Sequence, residues 1–274
     1  MIWDLVCTQC MKDSVFTKIV WDYYKEYRRP MPWRDDISPY SIFISEVMLQ
    51  QTQVSRVLVK YPLFMAKFPN FNSLARSETT DLLSAWQGMG YNRRALYLRS
   101  AAGIVMREYK GGLPKDIKLL DELPGIGYAT ACSIAAFAYN APVIFIETNI
   151  RRVYINSYFL KNGEVDDKDI LPLVERTLNK ENPREWYWAL MDYGAYLGGL
   201  GDNPNKKSKH YTKQKKFEGS VREVRGGILK FLLKKPHSMK ELEKIYTDKR
   251  LFTALEQLKK EGFIIEIGKK YSIK

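Results

Sequence analysis

Apolar positions three and four residues apart dominate the first two hundred residues. The spacing predicts helices over 41–61 ("SIFISEVMLQQTQVSRVLVKY"), 77–87, 92–109 and 115–122. It predicts another in "YATACSIAAFAY" from Tyr128, and more around 150–161, 168–180 and 184–197. Strand signals are nearly absent before residue 260, so the main body reads as all-α.

Beyond residue 220 the pattern shortens. "VREVRGGILKFLLK" reads as a helix, and "SMKELEKIY" opens with a capping box between Ser238 and Glu241. In "DKRLFTALEQLKKEG", Asp248 is the expected cap, Phe252, Leu255 and Leu258 the apolar stripe, and Gly262 the stop. The end, "FIIEIGKKYSIK", predicts a hairpin turning near Gly268 and Lys269. Three helices and a hairpin in 221–274 make a winged-helix-like α+β module, small enough to need the main body for stability.

An apolar fraction of 45% with six tryptophans supplies a substantial core. No run approaches the ~18 apolar residues of a membrane span. The start, "MIWDLVCTQCMKDS", lacks a secretory pattern, so a soluble, cytoplasmic protein is expected, at the nucleoid in a prokaryote. Lys and Arg number 44 against 31 Asp and Glu, and the net +13 points to an anionic partner such as nucleic acid. "NKKSKHYTKQKKF" carries six lysines and no acid, which suits a solvated linker over 205–220 as well as a phosphate contact. Three cysteines imply no disulfide framework; Cys7 and Cys10 have metal-ligand spacing, but without a second pair or a neighbouring His they read as a chance pair.

Two stretches carry chemistry. In "VIFIETNIRRV" (143–153) an apolar run ends at Glu147 and a helix begins, with Thr148 or Asn149 as its expected cap. Glu147 would face the positive end of that helix and remain ionised; on these residues alone an ordinary helix-start acid fits as well. In "LDELPGIGYATACSIAAFA" (120–138) a short helix meets Pro124-Gly125-Ile126-Gly127 and an Ala-rich helix follows. Such a turn leaves amides free at a helix N-terminus, where a DNA phosphate can bind. A plain glycine-rich turn between packed helices is the alternative; the helical context and basic balance favour the phosphate.

"LPGIGYATA" resembles the helix-hairpin-helix of the HhH-GPD DNA glycosylases. "PWRDDISPYSIFISEVMLQQTQV" (32–54) is very similar to a segment of the MutY adenine glycosylases, "WQGMGYNRRALYL" (86–98) looks like their Gly-x-Gly-Tyr segment, and "MDYGA" (191–195) resembles the residues preceding their iron–sulfur ligands. The resemblance covers about residues 15–200 and implies an all-α, two-lobed glycosylase domain over 1–204, with its hairpin at about 115–139. The family's catalytic Asp lies 18 residues past a diagnostic position that is Ala129 here, which lands on Glu147, one methylene longer. Glu46 is the second catalytic candidate: on a continuous helix it falls about 60° from Phe43 and 20° from Val57, at the edge of an apolar stripe, where partial burial would raise its pKa. A boundary glutamate with satisfied bonds is the bland alternative.

The resemblance further implies that Gln50 and Gln51 enter the base stack, that Tyr91 helps hold the duplex open, and that Leu123, Gly125, Gly127 and Tyr128 meet DNA at the hairpin. Trp33, Arg34 and Ala129 match base-pocket positions. Bifunctional relatives carry a Lys at the place of Ala129, so monofunctional base removal is expected. The four cysteines expected after "MDYGA" are missing, so no iron–sulfur cluster or other cofactor is expected; Lys206, Lys207 and Lys209 stand in that region as DNA contacts. The hairpin carbonyls leave a monovalent cation open. The family's 8-oxoguanine-reading domain has no counterpart in 221–274. The expectation is a monomeric glycosylase acting on double-stranded DNA, releasing adenine opposite 8-oxoguanine or guanine. A uracil or thymine glycosylase acting opposite guanine, or a non-catalytic DNA-binding protein, are the alternatives.

Overall fold

A computed structural model describes residues 11–160, 163–213, 216–247 and 249–274; Cys7, Cys10 and the expected cap Asp248 lie outside the described residues. In chain order the helices are α1 (Asp13–Tyr27), α2 (Pro32–Asp35), α3 (Pro39–Leu49), α4 (Val54–Lys67), α5 (Phe71–Ala75), α6 (Thr79–Ala85), α7 (Arg93–Glu108) and α8 (Ile117–Asp121). They continue as α9 (Tyr128–Tyr139), α10 (Thr148–Tyr158), α11 (Asp167–Thr177), α12 (Pro183–Gly199), α13 (Val221–Leu232), α14 (Met239–Glu243) and α15 (Arg250–Lys260). Among the described residues there are three short strands, β1 (His237–Ser238), β2 (Ile264–Ile267) and β3 (Lys270–Ile273). Among the described residues no helix is long and apolar enough to cross a membrane.

The chain divides into two units. The first draws on 1–42, 115–121 and 127–213. Its core gathers the apolar stripes of α1, α10 and α12, with Phe16 packed against Tyr154 at 4.9 Å and edge-on to Trp186 at 6.1 Å. Gly194 lets α12 close on α10: a Cβ there would lie 2.5 Å from the carbonyl oxygen of Asn149. The lysine-rich segment does not begin as a linker. Residues 204–207 form a 3-10 turn, and Val165 exchanges backbone hydrogen bonds with Lys207 (2.8 Å) and Lys209 (3.0 Å).

The second unit comprises 43–114, 122–126 and 214–274. Phe64 meets Trp86 edge-on at 5.7 Å, and Phe43 lies against Phe71 at 5.5 Å. The C-terminal module has the helices and hairpin its sequence predicts, with the Ser238–Glu241 capping box in place. A two-residue strand, β1, was not evident from the pattern; it pairs with the central strand β3, and the order is β1-β3-β2, all antiparallel. Gly268 takes the left-handed conformation that turns β2 into β3.

One expected helix is two. The segment predicted over 41–61 breaks between α3 and α4, where Gln51 has φ +51°. The cause is remote in sequence: the Arg94 guanidinium takes the carbonyls of Val47 (2.9 Å), Met48 (3.0 Å) and Gln50 (2.6 Å), acceptors that a continuous helix would use itself. The 20° relation of Glu46 to Val57 therefore fails, since the two residues are not on one helix.

Candidate active site

Glu147 is itself the N-cap of α10, in place of Thr148 or Asn149. Its Oε1 accepts the backbone amides of Asn149 (2.7 Å) and Ile150 (2.9 Å), which a longer side chain can reach by folding back over the first turn. Its Oε2 accepts the side-chain amide of Asn149 at 3.3 Å. Burial pushes the Glu147 pKa above the ordinary carboxylate value; the amides of Ile150 and Asn149 and the charges of Arg152 and Arg151 pull it back without cancelling the rise. A readily ionised helix-start acid was expected. Instead the fold makes this glutamate basic while offering it three donors, all suited to the ionised form.

Asn149 is oriented in turn. Arg152 donates to the Asn149 side-chain oxygen (2.8 Å) and to the Gly194 carbonyl (2.6 Å), and its Nε donates to Asn203 (3.1 Å). Holding the oxygen of Asn149 directs its NH2 to Glu147. Asn205 donates to the Thr148 carbonyl at 2.9 Å. Residues 203–205 thus buttress the start of α10. Asn149, Arg152, Gly194 and Asn203 were missed as site residues; the i, i+3 spacing of Asn149 and Arg152 in "TNIRRV" was the one available signal.

The lysines beside them are partly engaged. The Lys207 ammonium donates to the carbonyls of Phe159 (3.2 Å) and Leu160 (2.7 Å) at the end of α10, Lys206 approaches Asp202 at 3.4 Å, and Lys209 lies 3.5 Å from Asp166. This segment has no thiolate: the chain's cysteines are Cys7, Cys10 and Cys132, the last buried and free. The residues present do not fit a four-cysteine iron–sulfur cluster.

Elsewhere in the first unit, Trp33 is buried, and the Arg34 guanidinium forms a buried fork with Asp192, at 2.7 and 2.8 Å, lying 5.3 Å over the Trp188 ring. Arg29 adds a 2.6 Å bond to the same carboxylate. Burial alone would raise Asp192, but the bonds and charge of Arg34, then of Arg29, hold its pKa below the usual range. Arg34 is therefore anchored by "MDYGA". Ala129, exposed in the first turn of α9, offers no amine.

The turn between α8 and α9 follows the hairpin geometry. Gly125 has φ +80°, and a Cβ there would lie 2.8 Å from Tyr97, so two independent constraints require glycine. Leu123 is buried, with its carbonyl bonded by the Ile126 amide at 3.0 Å. Gly127 caps α9 without a side chain and Tyr128 is 60% exposed, leaving first-turn amides open to an anion.

In the second unit Glu46 stands out on α3. From Tyr40 to Met48 every other residue is buried, whereas Glu46 is half-buried. Gln50 donates to the Gly125 carbonyl at 3.1 Å, and Gln51 is exposed in its left-handed turn. Tyr91 also takes a left-handed conformation, with φ +45°. Arg94 ties the two turns together: beyond its bonds to α3 it donates to Thr52 (2.9 Å), Met89 (3.2 Å) and Gly90 (3.1 Å), between the rings of Trp86 and Tyr91. Burial lowers its pKa to about 10, so it stays charged at neutral pH.

A glycine hairpin that presents helix amides and a carboxylate seated on the next helix define the class: a helix-hairpin-helix glycosylase fold. Residues 44–177 match the model of the HhH-GPD superfamily base excision DNA repair proteins. The chain is 33% identical over 239 residues to an adenine DNA glycosylase of Mycobacterium tuberculosis, covering 77% of this chain and 76% of that protein. It is 28% identical over 190 residues to a thymine/uracil-DNA glycosylase of Methanothermobacter thermautotrophicus, covering 68% and 86%. In structure it is similar to a thermostable thymine-DNA glycosylase, with a TM-score of 0.61 over 71% of this chain and 91% of that one, at 24% identity. The chain belongs to the HhH-GPD superfamily of base excision DNA repair glycosylases, as a MutY-like member.

Proposed function

We propose that the protein is a monofunctional glycosylase that hydrolyses the N-glycosidic bond of adenine mispaired with 8-oxoguanine or guanine. The observation that carries the reading is Glu147, a carboxylate fixed by Asn149 and Ile150 in a setting that raises its pKa. The bond to the base breaks through a transition state with oxocarbenium character. Ionised Glu147 stabilises that cation and takes a proton from the attacking water, whose oxygen bonds to the sugar carbon. The bonding electrons leave with adenine, which is protonated by Glu46. The base must leave the duplex first, which is the task assigned to the Gln50–Gln51 and Tyr91 turns. Ala129 cannot form a Schiff base, so the product is an abasic site and the strand stays intact. The reading includes no iron–sulfur cluster, and activity is expected to survive iron chelation.

Single-turnover assays on duplexes containing A opposite 8-oxoguanine, A opposite G, U opposite G and T opposite G, developed with alkali, test this. Adenine release abolished by Glu147→Gln and by Glu46→Gln supports it; no release from any duplex overturns it. The second reading, uracil or thymine removal opposite guanine, is favoured by the match over 86% of the thymine/uracil-DNA glycosylase. Pyrimidine release that survives Glu46→Gln would establish that reading instead, since a pyrimidine has less need of protonation to depart.

A further inference from the structure

The C-terminal module is joined to the turn that carries Tyr91. Arg222, in the first turn of α13, donates to the Tyr91 hydroxyl at 2.8 Å, and its guanidinium carbon lies 5.7 Å from the centre of that ring. A second joint sits beside it: Arg225 forks onto Glu261 at 2.6 and 2.7 Å, and Arg93, next to the same turn, reaches Glu261 at 3.7 Å. Tyr91 is thereby held between Arg94 on one hand and Arg222 on the other.

The module is also where the charge is. Residues 221–274 hold 14 Lys and Arg against 7 Asp and Glu, more than half of the net +13 in a fifth of the length. Several of the acids are engaged within the unit. Besides Glu261, Glu241 closes its capping box, Glu223 accepts the Gly219 amide at 2.7 Å and Glu266 accepts from Lys259 at 2.8 Å. The wing is the opposite case. Lys269 and Lys270 are exposed at the tip around Gly268, and Lys270 pairs with Ser238, two residues before the exposed Lys240 of α14.

We propose that this module is a second duplex-DNA contact, in which the wing (Lys269 and Lys270), with Lys240 of α14, grips backbone phosphates flanking the mispair and Arg222 couples that grip to Tyr91. The proposal rests on the reading that the Tyr91 turn meets DNA. Ion pairing with phosphate releases condensed counterions, so each contact leaves a signature in the salt dependence of binding. Ile267 and Phe252, 66% and 56% exposed in the same module, would suit a protein partner, which is the competing outcome.

The test is anisotropy of the full chain on a labelled duplex, fully paired or with one A·G mispair, over a series of salt concentrations. Lys269→Glu/Lys270→Glu is compared with the charge-matched control Lys25→Glu/Lys180→Glu, with folding checked by circular dichroism. Loss of two phosphate contacts is expected to weaken binding roughly 10- to 100-fold at physiological salt and to reduce the salt slope by about 2, the control changing affinity less than about threefold. Arg222→Ala is expected to narrow the preference for the mispaired over the paired duplex. Wing and control variants with the same affinity and slope would overturn the proposal and direct attention to a protein partner. Because the paired duplex reports binding without chemistry, failure of the glycosylase reading would leave this result legible.

Discussion

Asn149 holds Glu147 twice, its backbone amide reaching Oε1 at 2.7 Å and its side-chain amide reaching Oε2 at 3.3 Å. A carboxylate gripped at both oxygens has little freedom to re-aim, so its length matters. Aspartate is an equally good cap, and Glu147→Asp should leave stability within about 1 kcal/mol. It retracts the carboxylate, however, and a misplacement near 1 Å costs about a hundredfold in rate. The expected result is a fall of that order in single-turnover base release at nearly unchanged Tm. A rate equal to or above that of the native protein would show that the pocket is not fitted to glutamate.

The pH profile should carry the mark of the same residue. The proposed mechanism requires Glu147 ionised, and burial raises its pKa. Activity should therefore fall with decreasing pH in a limb above the ordinary glutamate range, and the limb should be absent from any residual rate of Glu147→Gln. The stability sign is opposite. A raised carboxylate pKa means that ionisation works against the fold, a cost present above the folded pKa and relieved as pH falls through it. At neutral pH Glu147→Gln should melt no lower than the native protein. A large drop in Tm would mean that capping outweighs the burial of charge.

Gly194→Ala addresses the scaffold behind the carboxylate. The new methyl would stand 2.5 Å from the Asn149 carbonyl oxygen and 2.7 Å from its Cβ, which is backbone crowding that no rotamer relieves. Overpacking of this kind costs about 1–3 kcal/mol. Because the residue displaced is the one that holds Glu147, base release should fall at least about tenfold while DNA affinity changes little. Equal loss of both would point to general unfolding.

Arg94→Met removes six hydrogen bonds and leaves the carbonyls of two left-handed turns without their donor. Destabilisation of about 3–5 kcal/mol is expected by denaturant titration. Arg94→Lys keeps the charge but cannot span both turns. It should fold and bind paired duplex, yet open the base poorly, read as reduced fluorescence of 2-aminopurine placed beside the mispair. Native-like fluorescence in the Lys variant would show that the turns hold their shape unaided.

Much of this protein is local in origin and was legible in its residues. Apolar periodicity placed most helices, the Ser238–Glu241 box placed the start of α14, and glycines marked both the hairpin and the wing, because each follows from a few neighbouring side chains. The family resemblance, counted from Ala129, pointed to Glu147 as the candidate, and no cysteine follows "MDYGA" in the chain. Tertiary structure decided the rest. The break at Gln51 depends on a guanidinium more than forty residues away, the raised pKa of Glu147 on burial, and its aim on Asn203 and Gly194 meeting through Arg152. The docking of Arg222 on Tyr91 spans more than a hundred residues. Periodicity reports which face of a helix seeks burial; it carries no record of which remote donor will claim a carbonyl or a carboxylate there.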